Sequence, residues 1–295
     1  MHIRNNILML GFVLLSLILF PTNGISAQEK IERPLVLGVH PYLPATDLIK
    51  RFTPLAKEIE SKVKRPVRIS IAKDYKEHIR RIGRDDLDIA YMGPISYVEM
   101  VNRFGTKPLL SRHELNGRPT FQGCIFVGKD SDIKSMKDLK RKKFVFGSLE
   151  STMSYIVPYY MLINEGVRLD DLREHAFLGS HNNVALSVLI GDFDAGAVKE
   201  EVFNLYEKRG LKLLARSPAI SEHIFVASNK LDAALVDEIR KALQGIKGEK
   251  KVRSILSPLK KGTTGLIPVQ DRDYDNLRVI LKAVSGDKGG KKILF

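Results

Sequence analysis

The feature that most constrains the fold of this chain is a repeated alternation of short apolar runs with segments of helical periodicity. Residues 34–39, 67–71 and 87–91 are segments of strand length rich in apolar residues, and a helical pattern follows each of them, over 45–62, 75–83 and 95–104. In the first helical pattern the apolar residues recur at intervals of three or four positions. This alternation is typical of an α/β architecture.

The same alternation restarts in the second half of the chain. A strand is predicted at 144–146, a helix from Ser151, a strand near Ala176 and a helix after His181, and a short strand at 194–198 mirrors the one at 88–91. The runs at 121–127 and 224–227 are interpreted as two crossings between the halves. Two crossings without a long linker predict one lobe inserted into another, with a cleft between them, and such clefts are preferred ligand sites. The predicted boundaries are 28–123 plus 226–295 for lobe 1 and 124–225 for lobe 2.

The N-terminal segment predicts export. Arg4 precedes a nearly unbroken apolar run over residues 7–20, and Ile25-Ser26-Ala27 has the small residues of a cleavage site. We expect a signal peptide over residues 1–27, cleavage after Ala27 and a periplasmic mature protein. No later run approaches the length of a membrane span.

Composition and motif content narrow the function. The formal charge of +14 favours anionic ligands, but the basic residues are scattered and lack the aromatic interleaving of single-strand binders, so nucleic acid is not an expected partner. The one cysteine, Cys124, lies in an apolar run and is interpreted as a buried core thiol. The sequence has no GxGxxG, P-loop, HExxH or GxSxG motif, so an enzyme is the minority hypothesis, and we expect no metal and no cofactor.

A hydroxyl-rich helix start follows the strand at 144–146. Ser151, Thr152 and Ser154 stand where backbone amides have no intrahelical partner and the helix dipole is positive. One interpretation is ordinary N-capping, for which serine and threonine are preferred. The other is a site for a small anion such as phosphate.

Five segments together resemble a known family. They are Asp74-Tyr75, the strand end at 87–94, Ser151-Thr152-Met153-Ser154-Tyr155, the glycine-led turn at 179–183 and the run at 191–198. In order and spacing they are similar to the phosphonate/phosphate/phosphite-binding proteins of ABC transporters, the PhnD-like periplasmic proteins. The resemblance covers nearly the whole chain after residue 27. It implies a type II periplasmic binding protein fold, two α/β lobes joined by two hinge crossings around an interdomain cleft.

The resemblance also implies ligand residues. Ser151 and Thr152 match the family's helix-start hydroxyls, Met153 replaces a third hydroxyl but keeps its amide, and Ser154 stands where glycine is usual. Tyr75 matches a ligand tyrosine and His181 a ligand histidine. If both ring nitrogens of His181 donate, the affinity for an anion should rise as pH falls.

Other positions depart from the family pattern. Phe121 occupies the place of a second ligand tyrosine, and Glu201 aligns with an acidic residue that meets the ligand amine in aminoalkylphosphonate binders. His223 stands where those binders carry a partner aspartate, so an ammonium group would find only one carboxylate.

Tyr42 and Ser96 are expected to border the same cleft.

The sequence therefore predicts an extracytoplasmic solute-binding protein that captures phosphate, phosphite or a small phosphonate and delivers it to an ABC permease. One alternative is a sensory subunit, in which the closed form contacts a membrane-bound kinase or chemoreceptor. A third hypothesis, an exported enzyme acting on phosphate esters, predicts turnover of a model phosphomonoester.

Overall fold

The computed structural model describes residues 33–287, so the predicted signal peptide lies outside the described residues. Thirteen strands lie within this range. In chain order they are β1 (Leu35–Val39), β2 (Val67–Ile71), β3 (Ile89–Met92), β4 (Leu109–Leu115), β5 (Thr120–Phe121), β6 (Gly123–Gly128), β7 (Lys143–Phe146), β8 (Glu174–Phe177), β9 (Ala195–Lys199), β10 (Leu211–Arg216), β11 (Ile220–Ser221), β12 (Ile224–Ala227) and β13 (Thr263–Ile267).

Nine α-helices accompany these strands in the described part of the chain. They are α1 (Ala45–Val63), α2 (Tyr75–Gly83), α3 (Pro94–Phe104), α4 (Val157–Asn164), α5 (His181–Leu189), α6 (Glu200–Glu207), α7 (Ala233–Gln244), α8 (Glu249–Lys251) and α9 (Asp275–Gly286). A π-helical turn, Thr152–Ile156, leads directly into α4.

The strands form two main sheets. The first has the order β13-β4-β12-β3-β1-β2 and the second the order β10-β6-β9-β7-β8. At one end of each sheet the last three strands pair in parallel, β1 with β2 and β3, and β7 with β8 and β9. Antiparallel strands complete both sheets. Each sheet with its helices makes one α/β lobe, as the sequence predicts.

The chain passes between the two sheets twice. The short strands β5 and β11 pair antiparallel, with Phe121 opposite Ile220 and Thr120 opposite Ser221. The runs at 121–127 and 224–227, interpreted as the crossings, are instead largely β6 of the second sheet and β12 of the first. Each crossing comes just before the strand. The predicted lobe boundaries at 123/124 and 225/226 stay a prediction.

The C-terminal helix α9 packs against α3 of the first lobe and also against α4 of the second. Its apolar side chains Leu277, Ile280 and Val284 are buried in the same cluster as Tyr155 of the π-helical turn and Tyr159 of α4. Residues assigned from sequence to lobe 1 alone therefore contact both lobes.

Apolar periodicity explains why the helices cover the sheets. In α1 the buried residues recur at three- and four-residue intervals and face the first sheet: Leu48, Phe52, Leu55, Ala56 and Ile59. Within residues 33–287, no helix combines the length and the apolar character that a membrane crossing needs.

Candidate functional site

A cavity of about 660 Å³ is lined by residues from both lobes. Most of them follow the carboxyl ends of the parallel strands, where ligands bind in open α/β sheets. Those after first-lobe strands are His40, Tyr42, Tyr75, Gly93 and Ser96, and those after second-lobe strands are Ser148, Ser151, Thr152, Met153, His181 and Glu201. His223 reaches the same edge because β12 runs antiparallel and begins at the next residue.

The hydroxyl-rich turn forms one wall of this cavity. The Ser151 oxygen accepts a hydrogen bond from the Ser154 amide at 3.1 Å, which leaves the hydroxyl proton of Ser151 available to a ligand. Within residues 33–287, the amides of Thr152 and Met153 have no hydrogen-bond acceptor. Capping and anion binding are therefore compatible here, because the oxygen that caps the turn carries a proton that can still be donated.

Ser154 does not line the cavity, contrary to the sequence prediction. Its side chain is fully buried, and its hydroxyl donates to the main-chain oxygen of Ala197 in β9. Gly147 makes room for it, since a β-carbon at Gly147 would come within 2.6 Å of the Ser154 oxygen. Ser154 thus fixes the turn to the second sheet, and we remove it from the set of ligand residues.

Met153 also lines the cavity, although its side chain is almost completely buried. Its side chain is buried against the crossovers, with the sulfur 3.7 Å from Ser217 Oγ and close to Gly123. At the position where the resemblance implies a third hydroxyl, the Met153 side chain thus makes contacts with the crossovers.

His181 begins α5 and has one defined tautomer. Its Nδ1 accepts the main-chain N–H of Lys199 at 3.2 Å, so the ring proton of the neutral form is on Nε2. Burial, with Lys199 adding to it, lowers the pKa of His181 to about 3. The condition that both ring nitrogens donate is therefore not met, because Nδ1 already accepts an N–H. His181 offers a single neutral donor.

Aromatic rings form the wall of the first lobe. The His40 ring packs edge-on against Tyr42 and Tyr75, with centroids 5.0 Å and 5.2 Å away. Burial, and to a lesser extent Glu150, raises the pKa of Tyr75, so its phenol stays protonated. The Tyr42 hydroxyl donates to the Leu259 carbonyl at 3.3 Å, whereas those of Tyr75 and Ser96 have no acceptor among the described residues.

An ion pair and a histidine form the floor. Glu222 is fully buried, and its Oε1 lies 2.6 Å from Lys260 Nζ while its Oε2 lies 2.9 Å from His223 Nδ1. Burial alone would raise the pKa of Glu222, but the charge of Lys260 and the hydrogen bond from His223 hold it well below its usual range. Phe121 covers this pair, with Lys260 Nζ 4.8 Å from its ring centroid.

Glu201 lies at the cavity but is already paired. Its Oε2 is 3.1 Å from Lys199 Nζ. The structure thus brings Tyr42, Tyr75 and Ser96 to one cavity with Phe121, Glu201 and His223. Ser151, Thr152, Met153 and His181 join them there, and Ser154 is the exception.

Sequence reasoning missed several polar residues of this cavity. Among them are His40, Lys199 and Lys260, and the buried Glu222 lies behind Lys260. The position of His40 directly after β1 could have revealed it, because that strand end lies at the ligand edge. Among residues 33–287, no group of three or more histidine, cysteine or acidic residues could hold a metal ion.

Known structures share this architecture. PhnD1 from Prochlorococcus marinus, solved in complex with methylphosphonate, superposes with a TM-score of 0.75 at 23% identity over 86% of this chain and 98% of that chain. The fold is thus that of a type II periplasmic binding protein. More narrowly, a sequence model described as "ABC transporter, phosphonate, periplasmic substrate-binding protein" matches residues 37–274. The chain belongs to that family.

Two curated relatives agree with this assignment. The phosphate-import protein PhnD of Mycolicibacterium smegmatis is 25% identical over 288 residues, covering 89% of each chain. The phosphonates-binding periplasmic protein of Escherichia coli is 27% identical over 236 residues, covering 76% of this chain and 68% of that protein.

Proposed function

We propose that this protein captures phosphate, phosphite or a small phosphonate in the cavity and delivers it to an ABC permease. The observation that carries the proposal is the convergence of two helix starts with free donors on one cavity, within a phosphonate-binding family. The ligand residues of the proposal are Tyr75, Ser151, Thr152, the main chain of Met153, and His181.

The donor set suits a tetrahedral oxyanion. Burying such an anion is unfavourable unless most of its acceptor positions are paired. The Ser151 hydroxyl, the free amides beside it, the Tyr75 phenol and His181 Nε2 supply that pairing without a formal positive charge. Positive potential comes from the two helix starts and from the lysines at the rim and floor.

The pairing of the two nearby carboxylates points away from a ligand with an amine. Glu201 is bound to Lys199, and Glu222 is shared between Lys260 and His223. An ammonium group would have to displace a lysine from a carboxylate. We therefore propose that any substituent on phosphorus is uncharged.

Calorimetric titration of the protein tests this proposal, after the chain has been unfolded and refolded to remove any bound solute. We expect one site per chain for at least one of phosphate, phosphite and methylphosphonate. The absence of binding to all three would overturn the proposal.

We further propose that the chain is exported after cleavage at Ala27, folds into the lobes predicted above and is not an enzyme. N-terminal sequencing of the periplasmic protein should begin at Gln28.

Deletion of the gene should abolish uptake of the bound solute. Persistence of uptake with loss of a transcriptional response would instead indicate a sensory subunit, and turnover of a phosphomonoester would indicate an enzyme.

A further inference from the structure

His223 is hydrogen-bonded differently from the donors proposed above for the ligand. Its Nδ1 lies 2.9 Å from Glu222 Oε2, and its main-chain N–H donates to the same oxygen at 3.0 Å. The other carboxylate oxygen is occupied by Lys260 at 2.6 Å. An ionised carboxylate only accepts hydrogen bonds, so Nδ1 must be the donor in this pair.

The second ring nitrogen therefore faces the cavity as a lone pair when the ring is neutral. The His223 side chain lines the cavity and is 20% exposed to solvent. Its Nε2 has no partner among residues 33–287 and lies near Gly93, 3.8 Å from where a β-carbon would stand. Tyr91 stacks on the ring at 5.4 Å between centroids, which holds this orientation.

The charged and titratable groups around His223 determine its protonation state in the empty cavity. Burial lowers the pKa of His223, and the charges of Lys260 and Lys199 lower it further, whereas Glu222 opposes them. The remaining titratable groups facing it are His40, Tyr91, His113 and His181. Because Lys260 already neutralises Glu222, His223 is neutral at neutral pH.

The other groups proposed to contact the ligand, which are Tyr75, Ser151, Thr152, the main chain of Met153 and His181, all offer hydrogen-bond donors. A fully deprotonated phosphonate or phosphate offers only acceptors, so one of its oxygens would face the lone pair of His223. A ligand that carries one proton on oxygen can donate it to His223 Nε2. The same complex forms when the dianion binds together with one proton taken from solvent.

We propose that His223 Nε2 and one ligand oxygen share a single proton, so that the protein selects phosphorus oxyanions in their protonated form. This inference rests on the proposed function of the same cavity. It distinguishes phosphonates from sulfonates, which have a similar shape but no acidic proton at neutral pH. A sulfonate would leave the lone pair of His223 opposite an oxygen lone pair.

Proton uptake is measured by calorimetry in buffers of different ionisation enthalpy, with methylphosphonate and inorganic phosphate as ligands. At one pH unit above the second pKa of the ligand, we expect uptake of about one proton per bound molecule and an affinity that falls about tenfold per pH unit. Methanesulfonate should bind at least about tenfold more weakly than methylphosphonate. Binding without proton uptake, or equal affinity for methanesulfonate, would overturn the inference.

Two variants test whether the proton taken up on binding is held at His223. His223→Asn replaces the lone pair with an amide that can donate, so proton uptake and the pH dependence should disappear. His175→Asn is the matched control, since this exposed histidine lies on β8 away from the cavity lining, and it should leave proton uptake unchanged. Uptake that survives in His223→Asn would contradict the assignment, and if that variant does not fold, the wild-type proton count decides.

These results separate the two proposals. If none of the phosphorus oxyanions binds at any pH, the proposed function fails. If they bind without a proton, only the role of His223 fails.

Discussion

Ser151 and Ser154 show how neighbouring hydroxyls in one turn can have different tasks. The Ser151 oxygen caps the turn and keeps its proton for the cavity, whereas Ser154 is buried and donates to Ala197. The sequence alone predicts the same role for both residues, that of a hydroxyl at a helix start. The difference arises because Ser151 caps the π-helical turn, whereas Ser154 lies within the turn, against the second sheet.

Alanine substitutions should separate these two tasks. Ser154→Ala leaves the Ala197 carbonyl without its buried donor and should reduce the free energy of unfolding by about 1–3 kcal/mol, with ligand affinity nearly unchanged. Ser151→Ala removes a cap and a ligand donor, so it should weaken both the fold, by about 1 kcal/mol, and the affinity. Urea unfolding and calorimetry measure the two quantities. A folded Ser154→Ala protein that no longer binds would contradict this division.

His181 should remain neutral throughout the ordinary pH range. Its pKa of about 3 means that the ring does not gain a proton as pH falls from 8 to 5. Nuclear magnetic resonance of the imidazole carbons should show no titration of His181 in this window. A midpoint near 6.5 for His181 would contradict the tautomer assigned to it.

Residues of the candidate site could be predicted from the sequence only where they belong to a recognisable motif. Ser151, Thr152, Tyr75 and His181 lie in short segments with recognisable spacing. Glu222 and Lys260 could not be found in this way, because their contact joins positions 38 residues apart in loops without periodicity.

At the scale of elements, the strongest periodic patterns were predicted best. The bounds of β2 and α2 agree with the sequence prediction, and α1 ends one residue later. Strands β4, β10 and β13 were not predicted. Polar residues interrupt their apolar pattern, as Arg112, His113 and Glu114 do in β4, and their pairing is set by neighbouring strands that lie far away in the chain.

The contact between α4 and the end of α9 is a second element-scale feature. Tyr159 donates to Asp287 Oδ2 at 2.5 Å, and Arg168 lies 3.4 Å from the same carboxylate. Tyr155 stacks on Tyr159 at 5.7 Å, but its buried hydroxyl has no partner in the described range.

Two tyrosine substitutions test this contact. Tyr159→Phe should reduce the free energy of unfolding by about 1–3 kcal/mol, because it removes a buried donor from Asp287. Tyr155→Phe, the matched control, should be neutral or slightly stabilising, since it removes a hydroxyl that is buried without a partner. Thermal unfolding of both variants measures this, and equal losses would contradict the assignment.

At the scale of the whole molecule, buried histidines predict sensitivity to acid. Burial lowers the pKa of His78 to about 4 and of His113 to about 3, and it holds the pKa of His40 well below its ordinary value. All three side chains are nearly inaccessible to solvent. The unfolded chain protonates them near pH 6.5, whereas the folded protein resists this.

The free energy of unfolding should therefore fall as pH drops below 6.5 toward these lowered values. Between pH 7 and 5.5 each buried histidine removes about 1 kcal/mol, because only the unfolded state gains the proton. Urea unfolding across this range measures the effect. His113→Asn should reduce the steepness of the decline, and an unchanged midpoint of the wild type between pH 7 and 5.5 would contradict the prediction.

The central claim is that a phosphorus oxyanion binds between the helix starts of the second lobe and the aromatic wall of the first. A crystal structure of the protein with methylphosphonate tests it most directly. The claim predicts ligand oxygens within hydrogen-bond distance of Ser151 Oγ, the Thr152 amide and His181 Nε2. A ligand bound elsewhere, or in this cavity without contact to the Ser151–Thr152 turn, would contradict it.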